Sequence, residues 1–124
     1  MTTRFQDIIA WQKAHDYVRK VYDVSSRFPD FERYGLRSQF TRAAVSIPAN
    51  IAEGFKRLSK QEKIRFLNIA QASLEECRYY NILSRDLRYV SEGEADDLDY
   101  SLEGARFYLN NYVQAIVENR GIKD

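Results

Sequence analysis

The chain has 124 residues, 44% of them hydrophobic and 30% charged, with a net charge of +1. That length suits one domain with its own core, and that composition excludes a disordered polypeptide. Two prolines and five glycines are too few for a loop-rich β protein, the near-neutral balance gives no overall pull on polyanions, and a lone cysteine, Cys77, excludes an intramolecular disulfide and fits a reducing compartment.

Four segments carry helical periodicity. In the first, Ile8, Trp11, His15, Val18, Tyr22 and Ser25 recur three and four apart, with Ala14 and Val21 widening the stripe, which predicts one apolar helix face. Phe28-Pro29-Asp30 ends it, because the residue before a proline is pushed out of the α region. The second segment carries Leu36, Phe40, Ala43, Ala44, Ile47 and Ile51. Pro48 lies inside it and cannot donate to the carbonyl of Ala44, so a kink or short break is expected there, with Gly54 as a C-terminal stop.

The third segment opens on a capping-box pattern, Ser59-Lys60-Gln61-Glu62, and runs without Gly or Pro to about Tyr89. Phe66, Leu67, Ala70, Leu74 and Cys77 form its main stripe, and Ile64, Ile69, Tyr80, Ile82 and Leu83 spread the apolar surface wider than one bundle core requires. The fourth opens on Ser91-Glu92-Gly93-Glu94, keeps Leu98, Leu102, Ala105, Leu109, Tyr112 and Ile116 in three-four alternation, and is expected to close at Gly121. Short connections make successive helices antiparallel neighbours. The expected fold is all-α, an antiparallel up-down four-helix bundle forming one domain over residues 1–124. Trp11, Val18, Leu36, Phe40, Ile47, Ile51, Leu67, Leu74, Leu102 and Leu109 are its expected buried residues.

The run Arg42-Ala43-Ala44-Val45-Ser46-Ile47-Pro48-Ala49-Asn50-Ile51-Ala52-Glu53-Gly54 strongly resembles the hallmark of the bacterial four-helix-bundle proteins named for intervening sequences in 23S ribosomal RNA genes. The resemblance extends over nearly the whole chain, through Trp11-Gln12-Lys13-Ala14, Phe31-Glu32-Arg33-Tyr34-Gly35-Leu36, Arg65-Phe66-Leu67 and the stretch from Ala70 to Glu75. It implies an up-down bundle assembled as a ring-like homopentamer, and it implies no reaction. A related branch, the accessory proteins of diversity-generating retroelements, forms similar pentamers, with nucleic acid and a reverse transcriptase as that branch's own partners. The present chain is less basic, which weakens any transfer of that function, and resembles the intervening-sequence branch.

The residues themselves offer little catalytic chemistry. His15 is the one histidine and falls on the predicted buried stripe, where a core or interface role outweighs that of ligand or base. Cys77 lies on an apolar stripe without an activating partner, no carboxylates show metal-ligand spacing, and no phosphate-binding glycine motif occurs, so neither metal nor cofactor is expected. Adjacent Glu75 and Glu76 point to different helix faces. Asn50 and Glu53, three apart beside Pro48, form a candidate polar interface site, with a local hydrogen-bond network as the plainer reading. Tyr79, Tyr80, Tyr89, Tyr100, Tyr108 and Tyr112 could stack bases, though packing in wide helix interfaces is the commoner use. No apolar run approaches the ~20 residues that span a bilayer, and Met1 to Asp7 lacks a signal peptide's apolar region, so a cytoplasmic protein without membrane contact is expected.

Charge is uneven. Arg33, Arg37, Arg42, Lys56, Arg57, Lys60, Lys63 and Arg65 face only Glu53 and Glu62 between residues 33 and 65, whereas Asp86, Glu92, Glu94, Asp96, Asp97, Asp99 and Glu103 surround the start of the fourth helix, where the dipole favours anions. Lys56, Arg57, Lys60 and Lys63 surround the start of the third helix, which the dipole does not favour, and are the candidate nucleic-acid-binding residues. Two functions compete: a non-catalytic oligomeric adaptor presenting this basic rim to RNA or DNA, and a protein-interaction scaffold with no nucleic-acid role. An enzyme is a distant third.

Overall fold

The structure is a computed structural model that describes residues 3–120. It contains four helices, α1 (Ile9–Ser25), α2 (Leu36–Lys56), α3 (Lys60–Asp86) and α4 (Glu92–Val117), with short 3-10 turns at Phe5–Asp7 and Asp30–Glu32. Each packs on two neighbours, α1 and α3 both lying between α2 and α4. The fold is the all-α four-helix bundle expected from the apolar periodicity. Eight of the ten expected core residues, Leu36, Phe40, Ile47, Ile51, Leu67, Leu74, Leu102 and Leu109, are buried.

The other two, Trp11 and Val18, are half-buried, because the stripe of α1 is turned by one residue from the expected one. The face that enters the core is Ala10, Ala14, Tyr17, Val21 and Val24, an equally regular alternation in which two alanines admit the neighbouring helices closely. Tyr17, absent from the expected stripe, is fully buried, and Tyr22 is exposed. His15 is likewise outside the core. It lies exposed, its ring stacked on Trp11 at 5.0 Å, and Trp11 meets Phe5 edge-on at 5.3 Å.

Helix α2 runs unbroken through Pro48, whose ring is buried. The proline leaves the carbonyl of Ala44 without its in-helix donor, and the helix continues through it. Gly54 is not the stop. It lies inside α2, buried, where a Cβ would meet the carbonyl of Lys63 at 3.3 Å and the Cβ of Phe66 at 3.4 Å. Its missing side chain allows α2 and α3 to converge.

Both predicted caps form. The Ser59 hydroxyl accepts from the Glu62 amide at 3.1 Å, and Ser91 and Glu94 make the full reciprocal box. Helix α3 ends at Asp86, short of Tyr89, in a Schellman turn: Arg88 sits at φ 60°, and the amides of Tyr89 and Arg88 donate to the carbonyls of Ser84 and Arg85, each at 2.9 Å. Helix α4 closes the same way on Asn119, also at φ 60°. The closure expected at Gly121 lies outside the described residues. Arginine in the left-handed region carries a penalty of about 1–2 kcal/mol, partly offset in a glycine variant by roughly 0.5–1 kcal/mol of extra chain entropy. Arg88→Gly is therefore expected to stabilise the fold by about 0.5–1 kcal/mol, read as a higher urea midpoint. A lower midpoint would mean that the arginine side chain makes a stabilising contact.

Candidate nucleic-acid interface

An up-down bundle brings the C-termini of α2 and α4 to the same end as the N-terminus of α3. That juxtaposition explains the basic group whose place at the start of α3 is unfavourable. Lys63, half-buried, donates to the carbonyls of Phe55 at 2.9 Å and Gly54 at 3.3 Å, closing the end of α2. Burial lowers its pKa from the ordinary lysine value. Lys60 donates to the carbonyl of Val117 at 2.6 Å, closing the end of α4. Cations suit the negative ends of these helices and satisfy carbonyls that have no partner within the helix. Arg57 pairs with Glu53 at 2.8 Å and lies over the ring of Phe66 at 4.5 Å, where Arg65 also lies at 4.6 Å. Of the four candidate residues, Lys56 alone is without a hydrogen-bond or ion-pair partner among the described residues. The four do come together at one end of the bundle, but three of them are engaged within the chain.

Asn50 and Glu53 are not brought together. The Asn50 amide donates to the Ser46 carbonyl at 2.8 Å and to the Ser46 hydroxyl at 3.0 Å, while Glu53 turns to Arg57. Ser46 also accepts from Ser73 of α3 at 2.8 Å, so Asn50 belongs to a polar seam between α2 and α3. The carbonyl bonded is that of Ser46, not the one freed by Pro48.

The acidic block is partly spent on α1. Asp97 pairs with Lys20 and Glu94 with Arg27, both at 2.7 Å, and Asp99 accepts from Asn81 at 3.2 Å. The pKa of Glu94 is lowered by the Ser91 amide and Arg27. Asn81, buried on α3, also accepts from the Tyr17 hydroxyl at 2.7 Å, which makes a polar link from α1 through α3 to α4. The link was missed because Tyr17 was placed off the core face. The visible signal was Asn81 itself, four residues beyond Cys77 on the buried stripe. Cys77 is fully buried, and desolvation pushes its thiol up to about 12, far from a nucleophile's range. Between α1 and α4 runs an open groove of about 620 Å³, lined by Lys13, Lys20, Tyr100, Gly104 and Phe107 among others. No group of three or more His, Cys, Asp or Glu side chains converges among the described residues, and no described helix is long and apolar enough to cross a membrane.

These features define a helical-bundle protein in which Lys60 and Lys63 close helix ends and Lys20, Arg27 and Arg78 tie helices together. Residues 6–111 match the family of 23S rRNA-intervening sequence proteins, and the chain belongs to that family. It is also similar to the crystal structure of a protein of unknown function from the S23 ribosomal protein family of Bacteroides thetaiotaomicron VPI-5482. The TM-score is 0.78 at 19% identity, covering 85% of this chain and 98% of the other. At that identity the likeness carries the fold alone. No curated protein matches the sequence.

Proposed function

We propose that the protein is a non-catalytic scaffold whose working form is a homo-oligomer, with the ring of five copies implied by its family resemblance as the expected assembly. The observation that carries this reading is a complete core accompanied by large apolar side chains facing outward: Ile69, Tyr79 and Ile82 on α3, and Tyr100 and Phe107 on α4. Apolar surface of this kind fits an interface. A closed ring needs two different patches, one meeting the other on the next copy. The outer surface of α3 and the groove between α1 and α4 supply such a pair.

The adaptor reading, with Lys56, Arg57, Lys60 and Lys63 as a rim for RNA or DNA, is the weaker one. Three of these cations already have partners, and releasing Lys63 from the end of α2 would leave carbonyls unpaired. The non-catalytic part rests on the state of the reactive groups, since the only cysteine is buried and protonated and the only histidine is stacked on a tryptophan.

The test is sedimentation velocity on a triple variant, Ile69→Ser, Tyr79→Ser and Ile82→Ser. The expected result is a smaller species than the wild type with an unchanged helical spectrum. An unchanged sedimentation coefficient would remove α3 from the interface, and a monomeric wild type would remove the proposal.

A further inference from the structure

We infer that the opposite end of the bundle, built from the turn between α1 and α2 and the turn between α3 and α4, is a binding surface for single-stranded nucleic acid, with Arg33, Arg37, Arg42 and Arg88 holding phosphates and Phe31 and Tyr34 stacking on bases. This does not depend on the scaffold reading, since the surface is complete in one copy. A ring would repeat it and add avidity.

The two rings are among the most exposed aromatic side chains of the molecule, Phe31 at 78% and Tyr34 at 89%. They are not on a slack loop. Between them Glu32 accepts from the Leu36 amide at 3.0 Å and from the Tyr89 hydroxyl at 2.8 Å, which fastens the turn both to the start of α2 and to the far turn. Gly35 makes room for that carboxylate, because a Cβ there would lie 2.7 Å from its Oε1. Phe28 packs beneath, 5.1 Å from Tyr89 and 6.4 Å from Phe40. The turn is thus held from inside while Phe31 and Tyr34 point out, a preorganised pair of flat apolar faces.

At the other end three of the four candidate cations have partners within the chain. Arg33, Arg37, Arg42 and Arg88 have no carboxylate in ion-pair range among the described residues, whereas Arg57 and Arg65 at the other end both do. Arg42 and Tyr34 line one polar groove between α2 and α3, together with Ser38 and Gln39. Of the nearby acids, Glu32 is engaged as above and Glu76, which lines the same groove, accepts from the Tyr80 hydroxyl at 2.6 Å, while Asp30, Asp86 and Glu92 are exposed.

Unpaired guanidinium groups suit phosphate, which they grip with two parallel donors. Exposed aromatic rings suit unstacked bases, and every base has a face to offer, so sequence preference should be slight. A duplex hides those faces, and an acidic peptide has none. The combination therefore favours a single strand over either.

The test is fluorescence anisotropy of the full chain with labelled oligothymidine and oligouridine, against duplex DNA and polyglutamate as competitors. With four phosphate contacts, affinity should fall roughly fifty-fold between 50 and 200 mM salt. Replacing all four arginines with Gln should weaken binding by at least about tenfold and flatten that dependence. Phe31→Ser with Tyr34→Ser should also cost about tenfold or more but keep the salt slope, since stacking is not an ionic contact. Both variants should retain the wild-type helical spectrum and sedimentation coefficient. No binding at low salt, an arginine variant that binds as the wild type does, or polyglutamate competing as well as the oligonucleotides would each overturn the inference, the last pointing to an acidic protein instead. A changed sedimentation coefficient would also overturn it, by assigning these residues to assembly. A monomeric wild type that still binds would leave it standing while removing the scaffold reading.

Discussion

Phe40→Ala is expected to destabilise the bundle by about 3–5 kcal/mol, the usual range for emptying a fully buried phenylalanine site. Phe40 is 0% exposed, and its ring lies 5.6 Å from Tyr80 on α3 and 6.4 Å from Phe28 in the turn after α1. It therefore joins three parts of the fold, and none of them can close the gap without moving the others. Against a total of about 5–15 kcal/mol for a typical domain, the loss leaves little reserve. The melting temperature should fall by more than about 10 °C. Phe40→Leu keeps most of the volume and should cost about 1–1.5 kcal/mol. Urea unfolding followed by helical ellipticity, at one protein concentration so that assembly does not confound the comparison, measures both. An alanine variant within about 1 kcal/mol of the wild type would show that this cluster does not anchor α2.

Alkaline pH should unfold the protein through Cys77 and Tyr17. Burial pushes the Cys77 thiol from 9.0 up to about 12, and burial raises Tyr17 well above its ordinary 10.0. Unfolded, both groups release their protons near the ordinary values; folded, they keep them. From about pH 9 upward the folded chain thus binds more protons than the unfolded chain, and stability falls as pH rises, whereas below pH 9 the contribution is fully present. At pH 11 the thiol alone should have withdrawn about 3 kcal/mol. Cys77→Ala loses some packing at neutral pH but should show a flatter decline between pH 9 and 11. Parallel declines in the two proteins would show that the thiol is not protected by the fold.

Helix α2 was legible because Leu36, Phe40, Ile47 and Ile51 are large, apolar and regularly spaced, with exposed Arg42 and Glu53 opposite them to fix the face. The starts of α3 and α4 were legible because a serine cap is a local interaction, decided within four residues. Helix α1 was misjudged by one position because it offers two regular stripes, and the more aromatic one, with Trp11 and Tyr22, is not the one that packs. The choice is made by the space between helices, where Ala10 and Ala14 fit closely and Tyr17 reaches Asn81 across the core. Gly54 could mean a helix stop or a close approach, and only the position of Lys63 and Phe66 on the next helix decides between them. The basic rim misled for the same reason. Lys60 and Lys63 looked like free charges at the wrong end of a dipole, but their partners are carbonyls at the ends of α4 and α2, brought there by antiparallel packing. Charge runs reveal composition, whereas cations such as Arg33, Arg37, Arg42 and Arg88 are seen to be unpaired among the described residues only when the acids have been placed.

The most direct measurement of the scaffold account is the native mass of the wild-type protein, by light scattering on a gel-filtered sample at micromolar concentration. One copy is 14.6 kDa. Assembly through the outer surface of α3 and the α1–α4 groove predicts a closed multiple of that mass, about 73 kDa for five copies, that persists on dilution because a ring must break two interfaces to lose one subunit. A single species of 14.6 kDa would contradict it.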